Sequence, residues 1–186
     1  VSAPLLGQNE DEGDLRVSLA GAQEKTALLW HKGQWCRPLG ATPTTHIFKL
    51  PLGLVGNMKA DMQESVENEW LCSKIVHEFG LPIAHCDIGY FEDQKALIVT
   101  RFDRKISSNG QWLIRLPQED FCQAKGISPL NKYQRDGGLG IADCMKILDG
   151  AINPDYDKQV FFITQVVFWL LFSTDGHSKN FSLRHL

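Results

Sequence analysis

Ser173-Thr174-Asp175-Gly176-His177-Ser178-Lys179-Asn180 gathers an acid, an imidazole, an amine and a carboxamide into one short polar stretch. Directly before it runs Val160-Phe161-Phe162-Ile163-Thr164-Gln165-Val166-Val167-Phe168-Trp169-Leu170-Leu171-Phe172, which carries no charge and whose polar members are only Thr164 and Gln165. Such a run is expected to be a buried helix. A polar loop held at the end of a buried segment is well placed to fix side chains for chemistry. The same residues also fit a helix C-terminus followed by a turn, since Asp-Gly is turn chemistry wherever it occurs. Local sequence leaves both readings open.

With 186 residues the chain can bury a real core, as one domain or as two small lobes. A formal charge of -3 gives no electrostatic case for nucleic-acid binding by this chain. The apolar run ending at Phe172 falls short of the roughly 20 residues that span a bilayer, and no signal pattern is seen in the polar opening segment, so a cytoplasmic protein is expected. The cysteines, Cys36, Cys72, Cys86, Cys122 and Cys144, form no C-x-x-C pair and are odd in number, which predicts reduced thiols, mostly in the core. The histidines show no H-x-x-x-H or Cys/His cluster, so no dedicated zinc site is expected. The chain begins with Val1, which suggests a piece of something larger.

Working outward from the loop, Asn153-Pro154-Asp155 supplies the start of the long apolar helix, and Ile141 to Leu148 reads as a shorter helix after Asp136-Gly137-Gly138-Leu139-Gly140. Ile127 to Gln134 reads only as loop, and Pro117 to Gln123 as a helix start with proline first and acids in the opening turn. Trp112 to Leu116 is a strand, Ser107 to Gly110 a turn, and Cys86–Phe91 with Ala96–Thr100 an antiparallel hairpin about Glu92 to Lys95. Met62 to Phe79 has helical periodicity, with Met62, Val66, Cys72, Val76 and Phe79 on one face. Glu69 lies about 20° from Val76 at about 100° per residue, which puts a carboxylate on the apolar stripe, whereas Glu67 lies about 180° away and should be solvated. A carboxylate on a buried face needs a cation. Lys49, at the end of the strand Thr45 to Leu50, is the natural partner. Further upstream, Thr26 to Trp30 and Gln34 to Cys36 flank a Lys32-Gly33 turn. A small-residue loop, Ser18 to Lys25, separates that pair from a short strand at Leu15-Arg16-Val17.

Read in chain order, these parts are a strand, a small-residue loop, strands, a strand lysine, a helix glutamate, a hairpin, a connector and an Asp-x-x-x-x-Asn loop. That is the order of a protein-kinase-like nucleotide cleft. A strand lysine held by a helix glutamate can grip phosphate while loop amides cover the nucleotide tail. Asp175 can orient and deprotonate an attacking hydroxyl, Asn180 can bind a magnesium ion, and Lys179 can offset charge on the moving phosphoryl group.

Ser18-Leu19-Ala20-Gly21-Ala22-Gln23-Glu24-Lys25-Thr26, Thr44-Thr45-His46-Ile47-Phe48-Lys49, Arg101-Phe102-Asp103-Arg104, Leu116-Pro117-Gln118-Glu119-Asp120 and Thr174-Asp175-Gly176-His177-Ser178-Lys179-Asn180-Phe181 closely resemble the HipA-type bacterial serine/threonine kinase toxins. The resemblance implies an α+β, protein-kinase-like two-lobed fold: an antiparallel-sheet N-lobe with one buried helix, then the start of a helical C-lobe. Its boundaries are expected at 1–14 for a flexible lead-in, 15–101 for the N-lobe, and 102–186 for the connector and partial C-lobe. It implies ATP and Mg2+ as cofactors, and transfer of the ATP γ-phosphate to a protein hydroxyl. In the family the substrate is glutamyl-tRNA synthetase, with inhibited translation and persistence as the result. It also implies a helix-turn-helix antitoxin as partner, operator DNA contacted only through that complex, and no membrane.

By position the resemblance makes Asp175 the catalytic base, Asn180 a magnesium ligand and Lys49 the phosphate-binding lysine. It makes Ala20, Gly21, Ala22, Gln23 and Glu24, running into Lys25, the phosphate loop, and Ser18 the autophosphorylated serine. Thr100 to Phe102 would offer backbone groups to adenine with Asp103 nearby, and His177 would stand beside the nucleotide phosphates. Thr100 replaces the glutamate expected there. The chain stops six residues after Asn180, ahead of the second acidic metal ligand that the family carries in a Tyr-Asp-type motif. The family's N-terminal subdomain and most of its C-lobe are also missing, so the middle of a longer protein, without normal turnover on its own, is expected. A non-catalytic module that docks an antitoxin is the alternative, and a small-molecule phosphotransferase a third reading.

Overall fold

The computed structural model describes residues 23–185, which fall into two compact units. The expected lead-in, the strand at Leu15-Arg16-Val17, and Ser18, Ala20, Gly21 and Ala22 lie outside the described residues.

The first unit holds the described chain up to Lys74 together with Ala84–Ile114. Strand β1 (Lys25–His31) turns at Lys32-Gly33 into β2 (Gln34–Cys36). Both turn residues have positive φ, 48° and 80°, the geometry whose twist matches a two-residue hairpin. Strand β3 (His46–Lys49) pairs antiparallel with β1, and the next hairpin, β4 (Gly53–Val55) and β5 (Ala60–Met62), precedes helix α1 (Ser65–Glu78). Strands β6 (Cys86–Phe91) and β7 (Gln94–Thr100) close a five-stranded antiparallel sheet in the order β2-β1-β3-β7-β6. Strands β8 (Arg104–Ile106) and β9 (Leu113–Arg115) form a separate two-stranded sheet. Val66, Cys86 and Leu97 are the buried centre, flanked by Trp70, Ile88 and Val99. Trp35, Phe48 and Phe91 pack edge to face, with centroids 4.9 and 5.5 Å apart.

Three expectations change here. The helix begins at Ser65, because the residues before it pair as the β4–β5 hairpin, and Met62 and Phe79 are exposed at 39% and 52%. Glu67 is not simply solvated. Lys95 donates to its Oε1, and Oε2 is buried without a partner. Glu69 is 41% exposed rather than buried, since Val66 and Val76 belong to different clusters and no continuous stripe runs between them.

The second unit holds Ile75–Ile83 and the chain from Arg115 onward. Strand β10 (Gln118–Asp120) leads into the one-turn helix α2 (Phe121–Ala124), and helix α3 (Ile141–Leu148) precedes helix α4 (Pro154–Leu170). Strand β11 (Ser182–Arg184) follows the polar loop and pairs with β10. The expected helix start at Pro117 is therefore followed by a strand, and the helix begins only at Phe121, after a capping box at Asp120. Asp120 Oδ1 accepts from Gln123 N and Gln123 Oε1 accepts from Asp120 N, both at 2.8 Å. The expected loop from Ile127 to Gln134 contains two 3-10 turns, Pro129–Asn131 and Gln134–Asp136, the second extending just past it.

Phe121, Cys144, Leu148 and Phe161 make one core cluster, joined by Phe181 and Leu183, and Val76, Leu81 and Val167 make another. Burial pushes the Cys144 thiol up to about 11. All five cysteines are free thiols and three are buried, as expected. The apolar run is not buried throughout. Phe161 and Val167 face the core, whereas Phe162, Val166, Trp169, Leu170 and Phe172 are exposed, as helical geometry requires when only one side is covered. Among the described residues no helix is long and apolar enough to cross a membrane.

Candidate active site

The first unit brings the sequence-selected cations together. Lys25 and Lys49 are directly opposite partners across β1 and β3, so their side chains share a face of the sheet. Lys49 Nζ donates to Glu69 Oε1, the pairing expected from sequence. Burial lowers the Lys25 pKa, the Lys49 charge lowers it further, and Glu69 works against both. Two ammonium groups and one carboxylate thus meet at the end of this sheet. Like charges directly opposite in a sheet are destabilising, and an anion would relieve them. Gln23 and Glu24 are tied to the end of the same strand: Gln23 Nε2 donates to Leu50 O at 2.8 Å and Leu50 N donates to Glu24 O at 3.3 Å.

At the other end of β3 and β7, the N–H of Thr100 is taken by His85 O and that of Arg101 by Thr45 O, while the Phe102 side chain is 52% exposed. Asp103 is buried as the hub of an ion cluster. Arg101 binds it through Nε at 2.9 Å and Nη2 at 2.7 Å, and Arg104 through Nη1 at 2.7 Å. Burial would raise the Asp103 pKa, but the two guanidinium groups outweigh it and hold the carboxyl below its usual range. Arg104 also donates to Thr44 O at 2.9 Å, so the cluster fixes the chain on either side of β3 and β7.

In the second unit, helix α4 delivers the polar loop. Asp175 is exposed, its Oδ1 accepting from Tyr133 Oη at 2.8 Å and lying 3.4 Å from His177 Nε2. Asn180 donates through Nδ2 to the Asp175 carbonyl, which closes the loop on itself and leaves its Oδ1 as the oxygen able to take a cation. His177 is buried, only 6% of its side chain exposed, and its Nδ1 has no partner. Burial pulls the His177 pKa below its ordinary value against the opposing Asp175 charge, which keeps the imidazole neutral at pH 7. Lys179 Nζ donates to Asp120 Oδ2 at 2.6 Å. Ser178 is buried, with Oγ 3.1 Å from Cys122 Sγ and 3.2 Å from Lys132 O.

A cavity of about 380 Å3 lies beneath this loop, lined by Phe161, Gln165, Phe168, Gly176 and His177 among others. Among the described residues no group of three or more His, Cys, Asp or Glu side chains could hold a metal ion. The oxygen donors of the loop suit a hard cation such as Mg2+, and Asn180 is the residue that would contribute to holding it.

The family described as HipA-like C-terminal domain matches residues 17–186. The chain belongs to this family. Among HipA-like relatives, the Sinorhizobium fredii protein named "Putative kinase Y4mE" is 33% identical over 181 residues, covering 97% of this chain and 40% of its own length. The serine/threonine-protein kinase toxin HipA of Shewanella oneidensis is 30% identical over 188 residues, covering 92% of this chain and 40% of its own length. A solved complex of Shewanella oneidensis HipA, HipB and operator DNA matches with a TM-score of 0.76 at 27% identity, over 96% of this chain and 42% of that one. The mixed α/β fold is thus the kinase-like fold of HipA. The chain spans about two fifths of the length of these HipA-like relatives.

The HipA-like motifs did not single out Tyr133, whose hydroxyl touches Asp175, or Gln165, whose Nε2 is buried without a partner. Tyr133 sits in a segment with no periodicity, and only its place in a Lys-Tyr-Gln-Arg run set it apart. Asp120 was visible as part of the Pro-Gln-Glu-Asp run, but its link to Lys179 spans 59 residues and leaves no local signal.

Proposed function

We propose that this chain carries the nucleotide-binding and phosphoryl-transfer residues of a serine/threonine protein kinase of the toxin-antitoxin type, using ATP and Mg2+. The observation that carries the reading is the pairing of the strand lysine Lys49 with the helix glutamate Glu69, the arrangement that holds an ammonium ready to grip nucleotide phosphate. Gln23, Glu24 and Lys25 continue the phosphate loop whose earlier members are Ala20, Gly21 and Ala22. Thr100, Phe102 and Asp103 mark the adenine side, and because the Thr100 and Arg101 N–H groups are already engaged, their carbonyls are the groups left for the base.

In this reading Asp175 takes the proton of the attacking hydroxyl. Its exposure, 70% of the side chain, lets a protein hydroxyl reach it. Lys179, held by Asp120, offsets charge on the phosphoryl group, and Asn180 Oδ1 contributes to holding Mg2+, which when bound neutralises phosphate charge. A protein hydroxyl, in the manner of the family's glutamyl-tRNA synthetase substrate, is the acceptor. Ser18 is a second acceptor that silences the enzyme. The neighbour's complex with HipB and operator DNA supports a small helix-turn-helix antitoxin as partner, with DNA reached only through it.

Transfer of labelled γ-phosphate by the intact protein, measured beside Asp175→Asn, tests the reading. A loss of two or more orders of magnitude is expected, and equal rates overturn it. Calorimetry with Mg-ATP separates the kinase from a docking module, which would give no heat.

A further inference from the structure

The hydroxyl of Tyr133 is the closest side-chain donor to the Asp175 carboxylate, at 2.8 Å, and it comes from a segment 42 residues earlier. We infer that Tyr133 is the positioning residue of the proposed base, and that the stretch from Pro129 to Gly140 exists in its present form to hold that phenol against Asp175. The inference rests on the kinase reading for its functional half and on geometry alone for its structural half.

The segment is built for this placement. Two 3-10 turns, Pro129–Asn131 and Gln134–Asp136, bracket Tyr133, and its carbonyl accepts from both Asp136 N and Gly138 N at 3.0 Å. The fold-back demands glycine. A Cβ on Gly138 would stand 2.2 Å from Asn131 O and 2.9 Å from Tyr133 O. The phenol ring is fixed on several sides: the His177 ring meets it edge-on at 5.0 Å, Lys132 Nζ lies 5.1 Å from its centroid and Arg135 Cζ 5.3 Å. Beside it, Ser178 Oγ donates to Lys132 O, so the segment and the polar loop are tied at two adjacent points.

A carboxylate on an exposed loop samples several rotamers, and a base is effective only when one oxygen is aimed at the incoming hydroxyl. The Tyr133 hydrogen bond occupies Oδ1 and so leaves Oδ2 as the oxygen free to take a proton. The arrangement resembles the way an orienting group fixes a catalytic imidazole, with a phenol in the orienting role.

Two measurements test this. The first needs no activity: the chain has Tyr90, Tyr133 and Tyr156, and their ionisation is followed by absorbance near 295 nm. The Asp175 hydrogen bond, with burial and the charge of Asp136 adding to it and Arg135 opposing, raises the Tyr133 pKa. The transition missing in Tyr133→Phe therefore lies above the ordinary tyrosine range, and it moves to lower pH in Asp175→Asn. A Tyr133 transition unmoved by Asp175→Asn overturns the contact and the inference with it. The second is phosphoryl transfer by the intact protein. Tyr133→Phe is expected to lower kcat roughly tenfold with the KM for ATP unchanged, and to have no further effect in the Asp175→Asn background. If Asp175→Asn abolishes transfer while Tyr133→Phe leaves kcat intact, the kinase reading stands and the positioning role falls. If Asp175→Asn transfers at the normal rate, both fall, even where the titration confirms the pairing.

Discussion

Asp120 divides its carboxylate between two tasks: Oδ1 caps helix α2 by accepting from Gln123 N, and Oδ2 holds Lys179 at 2.6 Å. One side chain thus fixes both the start of the short helix and the amine of the polar loop. Asp120→Ala should lose the cap, about 1 kcal/mol, and leave a largely buried ammonium without its partner, about 1–2 kcal/mol more. Asp120→Asn retains the cap oxygen and should cost less. Urea unfolding of the two variants checks the order: equal losses would mean that the cap contributes nothing, and no loss in Asp120→Asn would mean that the Lys179 contact contributes nothing.

Lys49 is expected to matter far more for ligand than for fold. Its partner Glu69 is 41% exposed, so solvent screens the pair and Lys49→Met should cost below about 1 kcal/mol of stability. Removing one of two cations from the Lys25 and Lys49 pair should weaken Mg-ATP binding roughly tenfold. Calorimetry and thermal unfolding on the same variant give both numbers. A large stability loss with unchanged affinity would assign Lys49 to the scaffold.

His177 predicts a pH dependence of stability. Its folded pKa is depressed by burial, so between that value and the unfolded value of about 6.5 the unfolded chain binds the extra proton. Its contribution is full above about pH 6.5 and is lost as pH falls through the folded value. His46, also lowered by burial and by His85, adds to the same slope from the first unit. His177→Gln should flatten the decline of unfolding free energy between pH 7.5 and 5, leaving the His46 part. An unchanged slope would show that His177 protonates without cost.

Gly138 and Gly176 offer a matched contrast. A Cβ on Gly138 meets backbone oxygens that cannot turn aside, whereas one on Gly176 meets the Phe168 ring at 2.8 Å, which can rotate. Gly138→Ala is expected to cost about 2–3 kcal/mol and Gly176→Ala about 1 kcal/mol, both read from denaturant midpoints. A reversed order would show that the ring beneath the polar loop is the more rigid of the two.

Sequence made the sheet and the long helices legible because their periodicity is local. Helix α3 begins and ends where the pattern places it, and the Lys49 to Glu69 pairing followed from helical angles and the cost of a lone carboxylate. What escaped was set by distant partners. The strand at Gln118 reads as a helix start until β11 arrives, more than sixty residues on, to pair with it. Tyr133 lies in an aperiodic stretch and gains its meaning from Asp175 alone. The exposed side of helix α4 was hidden by composition, since an uncharged run has the same letters whether one face is covered or all of it.

The second unit takes Ile75–Ile83 from the middle of the chain, and Val76 and Leu81 from that stretch are the two buried residues clustered with Val167. A fragment cut at Arg115 would therefore carry the whole polar loop yet expose the inner side of the helix that presents it. The chain is not modular in the order it is written: neither half can be transplanted, truncated or shuffled by a single break, and any recombination that preserves the Asp175 loop must bring along a turn encoded nearly a hundred residues before it.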